Sequence, residues 1–254
     1  MGTREAGPRV FAFPTREELG RCAAGRAAST LKDALRQRPS ARLMLAAAPS
    51  QEATLKALSA ETGIDWSRVE CFHMDEYVGL DANAPQGFGN WLQAHFLDHI
   101  PQAVFHRITP SDQPEQERAR YSHVMGSAPF DVVLLGLGVN GHLAFNDPPA
   151  DFADPEPARV VTLDRISRQQ QVDEGHFATL DQVPTRAITV TIPRLLNSVE
   201  IIASVPGRSK RQAVAETLSQ PVHANYPGTA LRTHPRVHLL LDAESDPGRA
   251  HRTA

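Results

Sequence analysis

Short runs rich in valine, isoleucine and leucine alternate along this chain with longer segments of helical periodicity. That alternation constrains the fold more than any other feature. A helix after each strand carries the chain back across the sheet, so the next strand pairs in parallel with its neighbour. Strands are expected over 41–47, 69–74, 131–136, 187–190, 200–205 and 236–241. Helices are expected over 16–36, 51–62, 90–99, 116–125 and 209–218. The pattern therefore predicts an α/β fold with a mostly parallel sheet. At 254 residues the chain is long enough for one large core, and a single domain over 1–254 is expected.

Apolar residues make up 41% and charged residues 22%, a balance that favours folding over disorder. The formal net charge of −3 leaves no basic surplus to neutralise a nucleic-acid backbone or an anionic membrane, so neither is expected as a partner. No segment approaches the ~20 apolar residues of a spanning helix, and the first fourteen residues lack the apolar run of a signal peptide. A cytoplasmic protein is expected. Cys22 and Cys71 lack the spacing of a metal site. They read as core thiols in a reducing compartment, and no metal is expected.

Four segments carry candidate chemistry. The first is Gly136-Leu137-Gly138-Val139-Asn140-Gly141, which follows an apolar run and formally matches a dinucleotide fingerprint. A fingerprint turn must open a helix, and here the paired Pro148 and Pro149 stop the chain shortly afterwards. The turn reads instead as close backbone approach to a substrate at Gly138 and Gly141, presenting His142 and Asp147. The second segment ends an apolar strand in Asp75 and Glu76. Functional groups of parallel sheets gather beyond the strands' carboxyl ends, and neighbours on extended chain point to opposite sides. One acid of the pair should therefore face a cleft. The third segment, 200–211, runs from a strand through Gly207 into a basic helix start at Lys210, which suits an anion. The fourth, Arg165 to Gln171, is basic and amide-rich; Arg168 could reach a phosphate, or the segment could be a surface helix. The proline-rich stretch over 146–158 is too long for a plain connector.

In order and spacing these segments resemble the glucosamine-6-phosphate deaminase family. The tightest likeness is Met74-Asp75-Glu76-Tyr77-Val78-Gly79-Leu80, followed by Gly141-His142-Leu143-Ala144-Phe145-Asn146-Asp147-Pro148. Weaker likeness extends through 183–190, 207–210 and His234-Pro235. The resemblance implies a three-layer α/β sandwich of the deaminase, ribose-5-phosphate isomerase and CoA-transferase type, shared with 6-phosphogluconolactonases. It also implies conversion of glucosamine 6-phosphate and water to fructose 6-phosphate and ammonia, without a cofactor. By the same resemblance Asp75 moves the proton between C2 and C1, His142 helps open the ring, and Lys210 holds the phosphate. Ser50, Gln51, Arg168, Glu76, Gly138 and Gly141 are carried as substrate- or phosphate-binding candidates. The expected partner is a small-molecule sugar phosphate, with a homo-oligomer left open.

Three departures qualify the likeness. Ala46-Ala47-Ala48-Pro49-Ser50-Gln51 replaces the family's glycine-rich phosphate loop, Asn140 stands where the family has an acid, and Asp147 replaces a glutamate. Asn140 is expected to orient the imidazole through its side-chain carbonyl, with Asp147 supplying the charge. On that reading Asn140→Asp is tolerated. A 6-phosphogluconolactonase-like hydrolase and a non-catalytic sugar-phosphate sensor are the alternatives.

Overall fold

A computed structural model describes residues 7–110 and 112–248. Among these residues the elements run, in chain order, β1 (Arg9–Phe13), α1 (Arg16–Gln37), β2 (Ala41–Leu45), α2 (Glu52–Ser59), β3 (Val69–His73), β4 (Asp75–Tyr77), α3 (Phe88–His95), β5 (Val104–His106), α4 (Pro114–Met125), β6 (Phe130–Leu135), β7 (Ala158–Thr162), α5 (Arg165–Asp173), β8 (Arg186–Val190), α6 (Ile192–Leu196), β9 (Ser198–Val205), α7 (Arg211–Ser219) and β10 (Val237–Asp242).

Seven strands form one sheet in the order β1-β10-β9-β6-β2-β3-β5, and every pairing in it is parallel. From the middle the chain builds outward in both directions, through β2, β3 and β5 on one side and β6, β9 and β10 on the other. The reversal falls between β2 and β6, where ligand crevices of open parallel sheets form. The register aligns the ends there: Leu45 faces both His73 and Leu134, and Leu135 faces Ala203. The segments that follow, starting at Ala46, Met74 and Gly136, therefore emerge side by side.

Both faces of the sheet are covered. On one, α1 buries Leu19, Ala23, Ala27, Leu31 and Ala34, a stripe at helical spacing, against the sheet in a cluster with Leu43, Leu45, Leu134 and Ile202. On the other, Met44, Phe72, Val133, Leu135 and Ile201 pack with Tyr121, Val214 and Leu231. The Thr15 hydroxyl starts α1 by accepting from the Glu18 amide at 3.2 Å.

The expected strand over 187–190 does form, but outside the parallel sheet. As part of β8 it lies in a separate antiparallel sheet of order β4-β8-β7. An apolar run marks extended buried chain without saying which partner it pairs with, and both partners of β8 are distant in sequence. β1, β5 and β7 are further strands that periodicity left unmarked; two are short or exposed at their sheet's edge, with Val10 44% and Val104 47% exposed.

Candidate active site

The β3 strand ends at His73, and Met74 carries the chain into β4 of the small sheet, where Asp75 pairs with Thr189. This change of sheet sends the two acids opposite ways. Asp75 lines a cleft at the carboxyl edge, together with Ala46, Ala47, Ala48, Ser50, Met74, Gly136, Gly138, His142 and Lys210. Its carboxylate meets no hydrogen-bond donor among the described residues. Burial first, and the neighbouring Glu76 second, push its pKa well above the usual carboxylate range.

Glu76 turns inward instead. It accepts from the amides of Tyr77 (3.0 Å), Phe88 (3.1 Å) and Gly89 (2.9 Å), closing the N-terminus of α3. The substrate-binding expectation for Glu76 is corrected: the side chain is buried, holds the helix start and does not line the cleft.

His142 follows Gly141, whose φ of 81° is one that residues with a side chain rarely adopt. The imidazole lies on Gly138, where a Cβ would sit 2.2 Å from the ring. The glycine expected to approach a substrate is thus required first by the histidine, although Gly138 does line the cleft. Gly141 shapes the turn and does not line the cleft.

Behind His142, its Nδ1 lies 3.1 Å from Asp147 Oδ1 and 2.9 Å from Ser167 Oγ, and the Ser167 hydroxyl also donates to Asp147 Oδ1. Asn140 Nδ2 donates to the same oxygen at 3.1 Å. Burial would raise the Asp147 pKa, but these hydrogen bonds and the His142 charge outweigh it and bring it down to about 2. Asp147 therefore stays ionised and fixes the ring from its Nδ1 side. Asn140 Oδ1 accepts from the His142 backbone amide at 3.2 Å, so the expectation that Asn140 orients the imidazole directly is corrected. It braces the turn and the carboxylate.

Lys210 enters from the short turn between β9 and α7. Gly207, at φ 97°, starts this turn and donates its amide to Asp242 at 3.0 Å. The Lys210 side chain is buried, and its Nζ lies 3.2 Å from Glu174 Oε1. Burial pulls its pKa down, and Glu174 partly restores it.

Ser50 lines the same cleft, whereas Gln51 is wholly buried and spends its amide on Ser204 O (3.0 Å) and Ser50 Oγ (3.2 Å). Gln51 braces the turn after β2 and does not line the cleft. Arg168 is also corrected. Its guanidinium donates to the carbonyls of Leu180 (2.7 Å) and Val183 (2.9 Å), tying α5 to the segment before β8, and it does not line the cleft.

Sequence reading missed the inner face of α5. Its buried residues Ser167, Gln170 and Gln171 are all polar. Gln170 Oε1 accepts from the Val139 amide at 3.0 Å, and Gln171 Oε1 accepts from the Tyr77 hydroxyl at 2.9 Å. With Glu174, Gln170 and Gln171 line the same cleft as Asp75. The available signal was their spacing: positions 167, 170, 171 and 174 fall on one helical face, and that face is polar where burial would call for apolar residues.

Comparison with known proteins places these features in context. Residues 14–239 match the family described as glucosamine-6-phosphate isomerases/6-phosphogluconolactonase. A glucosamine-6-phosphate deaminase of Streptococcus pneumoniae is 34% identical over 186 residues, 73% of this chain and 77% of that protein. A solved monomeric glucosamine-6-phosphate deaminase superposes with a TM-score of 0.85 at 31% identity, covering 93% of this chain and 98% of the other. A 6-phosphogluconolactonase from Shewanella baltica reaches 0.77 at 22% identity over 94% and 99% of the two chains, which speaks to fold alone.

Proposed function

Because this chain belongs to the glucosamine-6-phosphate isomerase and 6-phosphogluconolactonase family, we propose that its cleft converts glucosamine 6-phosphate and water to fructose 6-phosphate and ammonia. The observation that carries this reading is the pairing, in one cleft, of an unpartnered buried carboxylate, Asp75, with an imidazole, His142, backed by an ionised acid. Aldose-to-ketose isomerisation needs a base that takes a proton from C2 and returns it to C1. It also needs a group that moves a proton between the ring oxygen and the C1 hydroxyl.

His142 supplies the second function. Its Nδ1 is committed to Asp147 and Ser167, which leaves Nε2 for the sugar. Asp75 supplies the first. Loss of the C2 proton gives an enolamine, and delivery of that proton to C1 gives the imine of the ketose. Water then adds at C2 and ammonia leaves, which balances the reaction. The substrate's own C2 ammonium favours the ionised form of Asp75, offsetting the burial that raises its pKa in the free protein.

Lys210 and Ser50 take the 6-phosphate in this reading, supported by a buried ammonium and a hydroxyl at the same cleft. The free cysteines Cys22 and Cys71 agree with a reducing, cytoplasmic setting. Among the described residues no helix is long and apolar enough to cross a membrane.

Ammonia release from glucosamine 6-phosphate, with 6-phosphogluconolactone hydrolysis measured in parallel, tests the assignment. Ammonia release without lactone hydrolysis is expected. Lactone hydrolysis alone would favour the hydrolase, and tight binding of hexosamine phosphate without ammonia would favour a sensor.

A further inference from the structure

The ammonium that the phosphate needs is already engaged. Lys210 Nζ lies 3.2 Å from Glu174 Oε1, with the lysine side chain 6% and the glutamate side chain 21% exposed. The carboxylate is itself held. Gln170 Nε2 donates to the same Oε1 at 2.8 Å from one turn earlier in α5, and His176 Nε2 stands 3.9 Å from the other oxygen. Glu174 also lines the cleft. A phosphate arriving at Lys210 would therefore meet a carboxylate at close range, where little water dilutes the repulsion between two anions.

We propose that Glu174 sets the phosphate affinity of this site, as an internal carboxylate that occupies Lys210 in the free protein and is exchanged for the phosphate monoester of the ligand. The inference rests on the reading that Lys210 holds the substrate's phosphate, and extends it to a residue that the family likeness does not single out.

The exchange has a direction. A phosphate monoester at neutral pH carries ≈ −1.5 to −2 charge and three acceptor oxygens, more than the one carboxylate it replaces. It can take over the ammonium and still satisfy neighbouring donors such as Ser50. A neutral sugar offers nothing to Lys210 and leaves the Glu174 contact in place. Glu174 therefore lowers the affinity for every phosphorylated ligand by one common factor and leaves unphosphorylated sugars unaffected. Free inorganic phosphate, which lacks the sugar's contacts, is weakened by the same factor.

Titration calorimetry on the full chain with inorganic phosphate, fructose 6-phosphate and unphosphorylated fructose tests this. Glu174→Gln, and independently Glu174→Ala, should tighten inorganic phosphate and fructose 6-phosphate about tenfold each, a difference of about 1.4 kcal/mol. Fructose should not change, and Lys210→Ala in the same chain should cancel the gain. Unchanged or weaker phosphate binding in both Glu174 variants would overturn the proposal, since a carboxylate that merely keeps Lys210 charged would have that effect. A wild type that releases no ammonia, yet shows the Glu174 effect, would sink the deaminase assignment alone. The converse pattern would sink this inference alone.

Discussion

Asp75 is buried without a hydrogen-bond donor, and this has consequences for both activity and stability. Asp75→Asn keeps the shape but cannot accept the C2 proton, so turnover should fall about 10²–10⁴-fold, the usual worth of a general base. Solvent deuterium exchange into the substrate checks the assignment, and undiminished exchange would rule Asp75 out. The same carboxylate has a raised pKa in the folded protein, so its contribution to stability is intact below 3.8 and is lost as pH rises through the folded value. Asp75→Asn should therefore melt at a higher temperature than wild type at neutral pH, with the gap closing in acid. Around His142 the structure reverses an expectation. Asn140 donates to Asp147, so Asn140→Asp would set two carboxylates about the 3.1 Å contact and raise the Asp147 pKa. Ser167→Ala removes a donor from the same oxygen and acts in the same direction, while Ser167→Thr restores it. Carbon-13 NMR of the Asp147 carboxyl should show it titrating at higher pH in Asn140→Asp and Ser167→Ala and returning in Ser167→Thr. An unmoved carboxyl would mean that these side chains do not hold Asp147 ionised.

Two elements present the site, and each depends on a close contact to backbone. The α3 helix starts on Glu76, which takes three backbone amides. Glu76→Ala leaves those buried donors unmet and should cost about 1–3 kcal/mol for each amide that water cannot reach. Urea unfolding would read the loss. Glu76→Gln, which keeps an acceptor, should cost less; equal cost would show that charge rather than acceptance matters. The turn before His142 depends on Gly138, where a Cβ would fall 2.2 Å from the ring. Gly138→Ala should push the imidazole out of line and lower kcat more than it raises KM, because ring placement matters more to the reaction than to binding. A change confined to KM would argue that Gly138 serves the substrate directly.

Across the whole molecule the cleft is a product of two sheets. The parallel sheet delivers Ser50, His142 and Lys210, while Asp75 belongs to the antiparallel sheet anchored by β8. Leu134, buried in β6 at the middle of the parallel sheet, packs in the core beneath α1. Leu134→Ala should cost about 2–5 kcal/mol of stability, read as a lower urea midpoint. The folded fraction should keep its choice of substrate, since no cleft residue changes. A switch of substrate would show that the core sets specificity.

Much of this was legible in the linear chain. The alternation of apolar runs and helical segments specified a mostly parallel sheet, because local periodicity records how much of each element is buried. Asp75, His142 and Lys210 stood out because they follow strands, where short turns leave few places for a side chain to go. The partner of each group was decided only in three dimensions. Asp75 and Glu76 are neighbours of the same kind, and what separates them is that one faces a cleft and the other faces the start of α3. Arg168 looked like a phosphate ligand until two carbonyls twelve and fifteen residues away claimed it. Glu174 and Lys210 are thirty-six residues apart, a separation at which no local pattern can register an ion pair. Hydrogen bonds and charge pairs act over a few ångströms of space without regard to distance along the chain, so residue types could suggest the chemistry and folding alone could assign the contacts.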